Sequence, residues 1–223
     1  MPSHIAICGW NDNGARLLRD LLRSEPPPFV TIVSTPAPLL AGDHDTVVVF
    51  EEDPSTAAGL AAAGIDQAEV AVILADMRAG RRPQDADART ILTVLAIERA
   101  RPEVHTIAEL LNDDNMFHAY NAGVNEVLIA DAYIGGILSQ VVRSPGMTGV
   151  FSDLFCAGSG SRIVERSAGE GIAFSALSRM LYGEGEGVLI GYRRDEVLTL
   201  SPSGDVRLQP SDRVLILQRI PES

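Results

Sequence analysis

Short apolar runs alternate with amphipathic segments over the first 130 residues, and this alternation constrains the fold more than any other feature. Six runs have the length and β-branched content of buried strands: Ile5–Cys8, Val30–Val33, Val47–Phe50, Val70–Leu74, Val104–Ile107 and Glu126–Ile129. Helical patterns separate most of them, which is typical of a parallel sheet with helices packed on it. The order of the elements predicts an α/β fold with a doubly wound, Rossmann-like parallel sheet.

Four segments between these runs have helical character: Asp12–Arg23, Pro54–Gly64, Asp85–Ala100 and Asn112–Ala122. Pro54 is expected in a first helical turn, where its missing N–H is tolerated. Asp85 or Asp87 is expected to cap the third helix through its side-chain oxygen. The proline-containing stretch Thr35–Asp45 predicts a loop where a complete Rossmann unit would have a helix.

The pattern changes after residue 130. Two strongly apolar helices are predicted, Asp131–Arg143 and Met147–Ala157, separated by Ser144-Pro145-Gly146. Short strand-like segments and one helical segment follow: Arg162–Glu165, Ser175–Leu181, Gly187–Tyr192, Glu196–Leu200 and Arg213–Gln218. We therefore expect a Rossmann-like domain over 1–130, a helix-turn-helix hinge over 131–160 and a small α+β subdomain over 161–223.

Composition excludes several classes of function. The formal net charge of −12 argues against a nucleic-acid partner, because such proteins neutralise phosphates with excess positive charge. The chain has no lysine, which excludes a Schiff-base lysine and a Walker lysine. No apolar run approaches the ~18 residues of a membrane helix and no secretory signal is present, so we expect a soluble chain without direct membrane insertion. Cys8 and Cys156 have neither a CxxC partner nor metal-ligand spacing, and we expect both to be buried apolar side chains.

The first strand runs into a glycine-containing loop, Gly9-Trp10-Asn11-Asp12-Asn13-Gly14. Gly9 and Gly14 match the first and third glycines of the dinucleotide-binding motif, which brings a pyrophosphate to a helix N-terminus. Asn11 replaces the second glycine, and Ser34 stands where an acidic residue would bind the ribose hydroxyls.

Two interpretations of this loop remain open. It is either a purely structural turn or a retained site for NAD or an adenine nucleotide, formed by Gly9, Asn11, Asp12, Gly14 and Ser34. An NAD(P)-dependent oxidoreductase is disfavoured, because the motif is incomplete and no nucleophile and base stand at a recognisable spacing. We therefore expect no enzymatic activity.

Acidic residues gather where the strands of the predicted sheet end. The third strand runs into Glu51–Asp53, the fourth into Asp76 and the fifth into Glu109. Because ligands bind at the carboxyl edge of an open parallel sheet, Asp76 and Glu109 could converge on one hard divalent cation such as Ca²⁺. The alternative is that they are solvated loop acids. The segment Arg78–Arg82 contains three arginines that could hold a phosphate, although a solvated loop is the default.

Several motifs carry a resemblance to a known family. The segment Ile7–Trp10 resembles the opening of RCK domains (regulators of potassium conductance), and Glu52–Ser55 is similar to their Gly-Asp-Pro-Thr turn, with Glu52 in place of glycine. Asn121–Val127 resembles the family's Gly-Ala-(Asn/Asp)-Glu-Val signature, and the tail segments Gly191–Leu200 and Pro210–Val214 resemble its C-terminal subdomain. The resemblance covers nearly the whole chain and implies a ligand-sensing module that gates a potassium channel.

The resemblance also implies ligands. Calcium-gated members use an aspartate after the fourth strand and glutamates after the fifth; Asp76 and Glu109 match these positions, whereas Leu111 stands where a second glutamate would be. In nucleotide-binding members, Asp53 and Asp76 would face the adenosine.

The implied partners follow from the same family. The apolar helices of 131–157 would form a homodimer interface, and dimers would assemble into an octameric ring beneath a channel pore domain. That arrangement places the chain in the cytoplasm at the inner face of the membrane. The alternative within this class is a free-standing, nucleotide-binding regulator subunit of a Trk or Ktr potassium uptake system.

Overall fold

The computed structural model describes residues 3–40, 42, 44–155, 160–169 and 171–219. The chain divides into two compact units, one ending at residue 142 and one beginning at residue 143.

A six-stranded parallel sheet forms the centre of the N-terminal unit. Its strands are β1 (His4–Cys8), β2 (Phe29–Val33), β3 (Val47–Phe50), β4 (Val70–Ile73), β5 (His105–Glu109) and β6 (Glu126–Leu128). They lie in the order β3-β2-β1-β4-β5-β6, and Ile5 of β1 pairs with Val30 and Val70. The strand order reverses between β1 and β4, and such a switch point opens a crevice at the carboxyl ends of the strands. The doubly wound, Rossmann-like prediction is confirmed.

The described residues of this unit form the helices α1 (Asp12–Leu21), α2 (Ala57–Ala62), α3 (Pro83–Ala100) and α4 (Met116–Asn121), and all but the last residue of α5 (Ala130–Arg143). Successive side chains of a strand point to opposite faces, so the sheet carries two separate clusters of buried side chains. Ile7 packs with Leu18 of α1 in one cluster, and Cys8 packs with Val94 and Ile97 of α3 in the other. Burial raises the pKa of the Cys8 thiol to about 12, so this side chain is a neutral part of the core. Cys156 lies outside the described residues.

Two helix starts differ from the predictions. Pro54 lies in a turn rather than in the first turn of α2, because Thr56 is the N-cap and its hydroxyl oxygen accepts the Gly59 N–H at 3.0 Å. Helix α3 begins at Pro83, so neither Asp85 nor Asp87 is its cap. Asp87 is buried inside the helix, where its carboxylate accepts the backbone N–H groups of Leu111 and Asn112 at 2.8 and 3.1 Å. It therefore fixes the loop after β5 onto α3.

The other departures are small. A single 3₁₀ turn, Asp113–Asn115, precedes α4 in the segment predicted as one helix. The described residues between Thr35 and Asp45 contain no helix, as predicted.

A four-stranded antiparallel sheet and one packed helix form most of the C-terminal unit. Its elements are α6 (Met147–Phe155), β7 (Ser161–Ser167), α7 (Phe174–Gly183), β8 (Val188–Arg194), β9 (Val197–Leu200) and β10 (Arg213–Arg219). The strand order is β7-β10-β8-β9, and α7 buries Phe174 and Leu177 in a cluster that includes Ile216. The predicted small α+β unit is confirmed. The last predicted residues of its first helix, Cys156 and Ala157, lie outside the described residues.

Candidate functional site

A small cavity of about 20 Å³ lies in the crevice at the carboxyl ends of β1, β2 and β4. A space of this size holds about one water molecule. Polar and charged residues that follow two strands, β2 and β4, and residues of α3 contribute to its lining: Ser34, Thr35, Asp76, Arg81, Arg89, Thr90 and Thr93. Gly9 and Cys8 line it from β1 and the glycine loop.

The two glycines of the loop have structural reasons to be glycine. Gly9 has a φ of +81°, and a Cβ atom there would lie 2.7 Å from the carbonyl oxygen of Leu74. A Cβ atom on Gly14 would lie 2.6 Å from the Leu74 side chain and 3.2 Å from the ring of Trp10. A left-handed backbone and a close approach of two segments both select glycine, so the motif forms a tight turn whatever else it does.

Asn11 caps helix α1 and also links the loop to the other half of the sheet. Its Oδ1 atom accepts the Gly14 N–H at 3.0 Å, and its Nδ2 atom donates to the Ala75 carbonyl oxygen at 3.0 Å. The same amide donates to Oε2 of Glu109 at 2.6 Å. Asp12 is the exposed first residue of α1.

Glu109, at the end of β5, is held by uncharged donors. Its Oε1 atom accepts a hydrogen bond from the side chain of Asn13 at 2.6 Å, and its Oε2 atom accepts the Ala75 N–H at 3.0 Å in addition to the Asn11 bond. The residue is only 9% exposed. The carboxylate is therefore fixed against the first turn of α1 by hydrogen bonds.

Asp76, at the end of β4, is held by two arginines. Arg78 donates from Nε to Oδ1 at 3.0 Å and from Nη2 to Oδ2 at 2.8 Å, and Nη1 of Arg81 lies 3.2 Å from Oδ2. Burial alone would raise the pKa of Asp76, but the hydrogen bonds from Arg78 and the charges of both arginines outweigh it and lower the pKa. The carboxylate is therefore ionised at neutral pH.

The same arginines reach the end of β2. The guanidinium of Arg78 donates to the hydroxyl of Ser34, which is fully buried and lies 3.3 Å from Oδ2 of Asp76. Nη2 of Arg81 donates to the carbonyl oxygen of Thr35 at 2.9 Å. The arginine side chains thus bridge the ends of β2 and β4 over the cavity. Arg82 instead bonds to Asp85 at 3.0 Å.

Arg89 and Thr90 of α3 complete the site. Arg89 forms an ion pair with Asp53, whose Oδ1 atom also accepts the Ser55 hydroxyl at 2.7 Å. Burial raises the pKa of Asp53, but hydrogen bonds from Ser55 and Arg89 outweigh it and lower the pKa. Thr90 is 2% exposed, and its hydroxyl is the one buried side-chain polar atom in the described part of the chain that has no hydrogen-bond partner. Such an orphaned group at a cavity calls for an explanation, and a ligand or a water molecule supplies one.

The structure brings together most of the residues proposed from the sequence. Gly9, Ser34 and Asp76 line the cavity, and Asp53 reaches it through Arg89. Asp76 follows β4 and Glu109 ends the neighbouring strand β5, but each carboxylate has its own N–H donors. Across the described ranges, no group of three or more His, Cys, Asp or Glu side chains is placed to hold a metal ion. The two-carboxylate cation site stays a prediction.

Three functional candidates were missed from the sequence: Asn13, Arg89 and Thr90. Arg89 and Thr90 lie in the second turn of α3, which starts at the crevice because it follows β4. The helical pattern of 85–100 could have placed these turns over the cleft, had the helix start been identified correctly. Nothing in the sequence around Asn13 indicates its bond to Glu109.

A comparison with protein families decides the class of the chain. The model of the TrkA-N domain matches residues 5–130, which is more than half of the chain. The chain belongs to the TrkA-N family, the N-terminal part of RCK domains. A relative among curated proteins is the calcium-gated potassium channel TvoK of Thermoplasma volcanium, 26% identical over 149 residues that cover 66% of this chain and 42% of TvoK.

Two solved structures share the fold of this chain over nearly its whole length. The human SLO3 gating ring aligns with a TM-score of 0.72 and 16% identity over 98% of this chain and 44% of that one. The GsuK channel bound to NAD aligns with a TM-score of 0.53 and 17% identity over 97% of this chain and 36% of that one. The chain spans less than half the length of each of these three proteins. The resemblance to RCK domains predicted from the motifs is confirmed.

Proposed function

We propose that this RCK chain is the ligand-sensing regulatory part of a potassium channel and that its ligand is a nucleotide bound in the crevice between β1 and β4. The observation that carries the proposal is the orphaned hydroxyl of Thr90 in a cavity bordered by arginines. A buried hydroxyl without a partner is unfavourable by about 1–3 kcal/mol, and a ligand polar atom would remove that penalty.

The charge around the cavity supports an anionic ligand. Among the described residues, ion pairs join Arg78, Arg81 and Arg89 to two carboxylates, those of Asp53 and Asp76, which leaves one net positive charge within this group of five on the β2 side of the crevice. Arginine binds phosphate with two parallel N–H bonds, much as it binds a carboxylate. A phosphate can therefore replace an aspartate as the partner of one of these guanidinium groups.

The cleft can open without a change of fold. The groups that fill it are long arginine side chains, and Arg78 and Arg81 are 27% and 18% exposed. Rotamer changes of such side chains are common when a ligand binds, and backbone shifts are usually small. GsuK, which shares the fold, has been solved with NAD bound, and this supports a nucleotide as the class of ligand.

Assembly is the second part of the proposal. Along α5, none of the side chains from Asp131 to Arg143 is buried, and Leu138 and Val142 are 59% and 81% exposed. Phe155 of α6 is 70% exposed. We propose that these helices pair with a second copy of the chain, and that dimers form an octameric ring that gates a pore at the cytoplasmic face of the membrane. In the described residues, no helix is long and apolar enough to span a bilayer.

An oxidoreductase is the less favoured alternative. The loop has Asn11 in place of the second glycine, and Asn11 uses its side chain to cap α1 and to bind Glu109. Ser34 follows β2, and its hydroxyl accepts a hydrogen bond from the guanidinium of Arg78. The proposal therefore contains no catalytic step.

The variant Thr90→Val tests the nucleotide site, because it keeps the size of the side chain and removes the orphaned hydroxyl. We expect it to weaken AMP binding by about five- to tenfold in calorimetry. The unliganded variant should be at least as stable as the wild type, since no hydrogen bond is lost. Thr93→Val is the matched control, because the Thr93 hydroxyl already donates to the Arg89 carbonyl oxygen at 2.9 Å. Equal AMP affinity in Thr90→Val and wild type, or no AMP binding at all, would contradict the proposal.

A divalent cation is the second candidate ligand. It is favoured by the position of Asp76 and Glu109 at the ends of neighbouring strands and by the likeness to TvoK, a calcium-gated channel. A cation would have to compete with the N–H donors that hold both carboxylates.

A further inference from the structure

The glycine loop of this chain already binds a carboxylate from the same chain, that of Glu109. In dinucleotide-binding folds the pyrophosphate lies at the N-terminus of the helix that follows β1, where unpaired N–H groups and the helix dipole favour negative charge. Here the N-cap residue Asn11 and Asn13 in the first turn of α1 donate from their side-chain amides to the carboxylate of Glu109, each at 2.6 Å.

The charge of Glu109 is not cancelled locally. Its three hydrogen-bond donors are the amides of Asn11, Asn13 and Ala75, all of them neutral. In the described part of the chain, no arginine or histidine forms an ion pair with it. A phosphate that approached this turn would meet a buried negative charge.

Asn11 removes a further anchor for a phosphate. Its Oδ1 atom accepts the backbone N–H of Gly14, one of the groups that a helix N-terminus would otherwise offer to an anion. The replacement of the second glycine thus has two effects: the side chain caps the helix, and it holds Glu109 in place.

The two sides of the switch point therefore differ in the charged residues that border them. Ser34 and Thr35 follow β2, and Asp53, the partner of Arg89, lies in the loop after β3; both strands are on one side of β1. Glu109 belongs to β5, beyond β4 on the other side. A dinucleotide has to cross the switch point with its pyrophosphate, whereas a mononucleotide can stay on the β2 side.

We propose that Glu109 is a specificity-determining residue that excludes the pyrophosphate of a dinucleotide from the N-terminus of α1, so that the cleft accepts a nucleoside monophosphate rather than NAD. The proposal rests on the proposed nucleotide site for its ligand, but the exclusion of pyrophosphate is a property of Glu109 alone. Two like charges about 4 Å apart in a protein surface cleft change a binding constant by about fivefold to about a thousandfold, depending on the local dielectric.

Calorimetry with AMP, NAD and inorganic pyrophosphate, in a chelator that removes divalent cations, tests the inference. The variants are Glu109→Gln, which keeps the size of the side chain, and Glu109→Ala, which opens the space. Glu103→Gln is the control, since it removes the same charge from an exposed acid that pairs with Arg101. Circular dichroism verifies that each variant is folded.

We expect both Glu109 variants to bind NAD and pyrophosphate at least about tenfold more tightly than wild type, while AMP affinity changes by less than about threefold. The control should match wild type with all three probes. Unchanged pyrophosphate and NAD affinities in Glu109→Gln would overturn the inference even if Glu109→Ala unfolds, and so would wild-type protein that binds NAD as tightly as AMP. Gain of pyrophosphate binding without any AMP binding would support the role of Glu109 and reject the nucleotide site.

Discussion

Nη2 of Arg89 lies 2.9 Å from Oδ2 of Asp53, so that helix α3 is joined to the loop after β3 across the mouth of the crevice. Both side chains are about one-third exposed, at 37% and 35%. Ion pairs with this exposure contribute only about 0–1 kcal/mol to stability. Arg89 is therefore available to a ligand at little energetic penalty.

The substitution Arg89→Gln should separate ligand binding from stability. We expect AMP affinity to fall about tenfold, because a charge-assisted hydrogen bond to phosphate is lost. The midpoint of urea denaturation should stay close to that of wild type. Arg99→Gln, near the end of the same helix, is the matched control and should leave AMP affinity unchanged. A loss of affinity in both variants would indicate a general effect of charge rather than a contact.

The ion pairs of Asp76 make a prediction about pH. Its pKa is lower in the folded protein than in the unfolded chain, so its contribution to stability is complete above the unfolded value of about 3.9 and is lost as the pH falls through the folded value. Asp76→Asn should lower the free energy of unfolding at pH 7 by about 1–3 kcal/mol. The difference between variant and wild type should shrink as denaturation is measured at decreasing pH below about 4. A difference that is constant over this range would show that the charge of Asp76 does not stabilise the fold.

Features of the fold that depend on neighbouring residues in the sequence could be predicted, whereas features that depend on contacts between distant residues could not. The six strands follow from local apolar runs, because the strands of a parallel sheet with helices on both faces are mostly apolar. The predicted start of α3 was wrong because aspartate is a common helix cap and Asp85 and Asp87 were both candidates. Asp87 instead accepts the backbone N–H of Leu111, a tertiary contact that the local sequence does not indicate.

The site was predictable only in part for the same reason. That the ends of β4 and β5 would be adjacent follows from topology, and this gave Asp76 and Glu109. Which donors hold each carboxylate depends on side-chain directions that no local pattern encodes: Asn13 and Glu109 are 96 residues apart in the chain. The orphaned hydroxyl of Thr90 is visible only once every neighbour has been placed.

The cation candidate is tested by the double change Asp76→Asn with Glu109→Gln. If Ca²⁺ binds between these carboxylates, it should raise the melting temperature of the wild type, and this rise should be lost in the double variant. We expect weak binding, because Ca²⁺ takes about 6–8 oxygen ligands and only two carboxylates are proposed as its ligands. Asp113→Asn with Asp114→Asn is the control pair, since both acids are exposed and lie in the turn before α4. Equal calcium affinity of wild type and the Asp76/Glu109 variant in calorimetry would place any bound ion elsewhere.

The exposed apolar side chains of α5 predict a homodimer. Leu138 is 59% exposed within one chain, and burying such a side chain against a partner is favourable by about 1.5–3 kcal/mol. Leu138→Asp should therefore convert a dimer into a monomer at micromolar concentration in light scattering, with little effect on the fold of the separate chain. Leu39→Asp, at a fully exposed leucine in the loop after β2, introduces the same charge and should leave the dimer intact. A wild-type chain that is monomeric with and without AMP and Ca²⁺, or a Leu138→Asp variant that remains dimeric, would contradict the assignment of α5 to the interface.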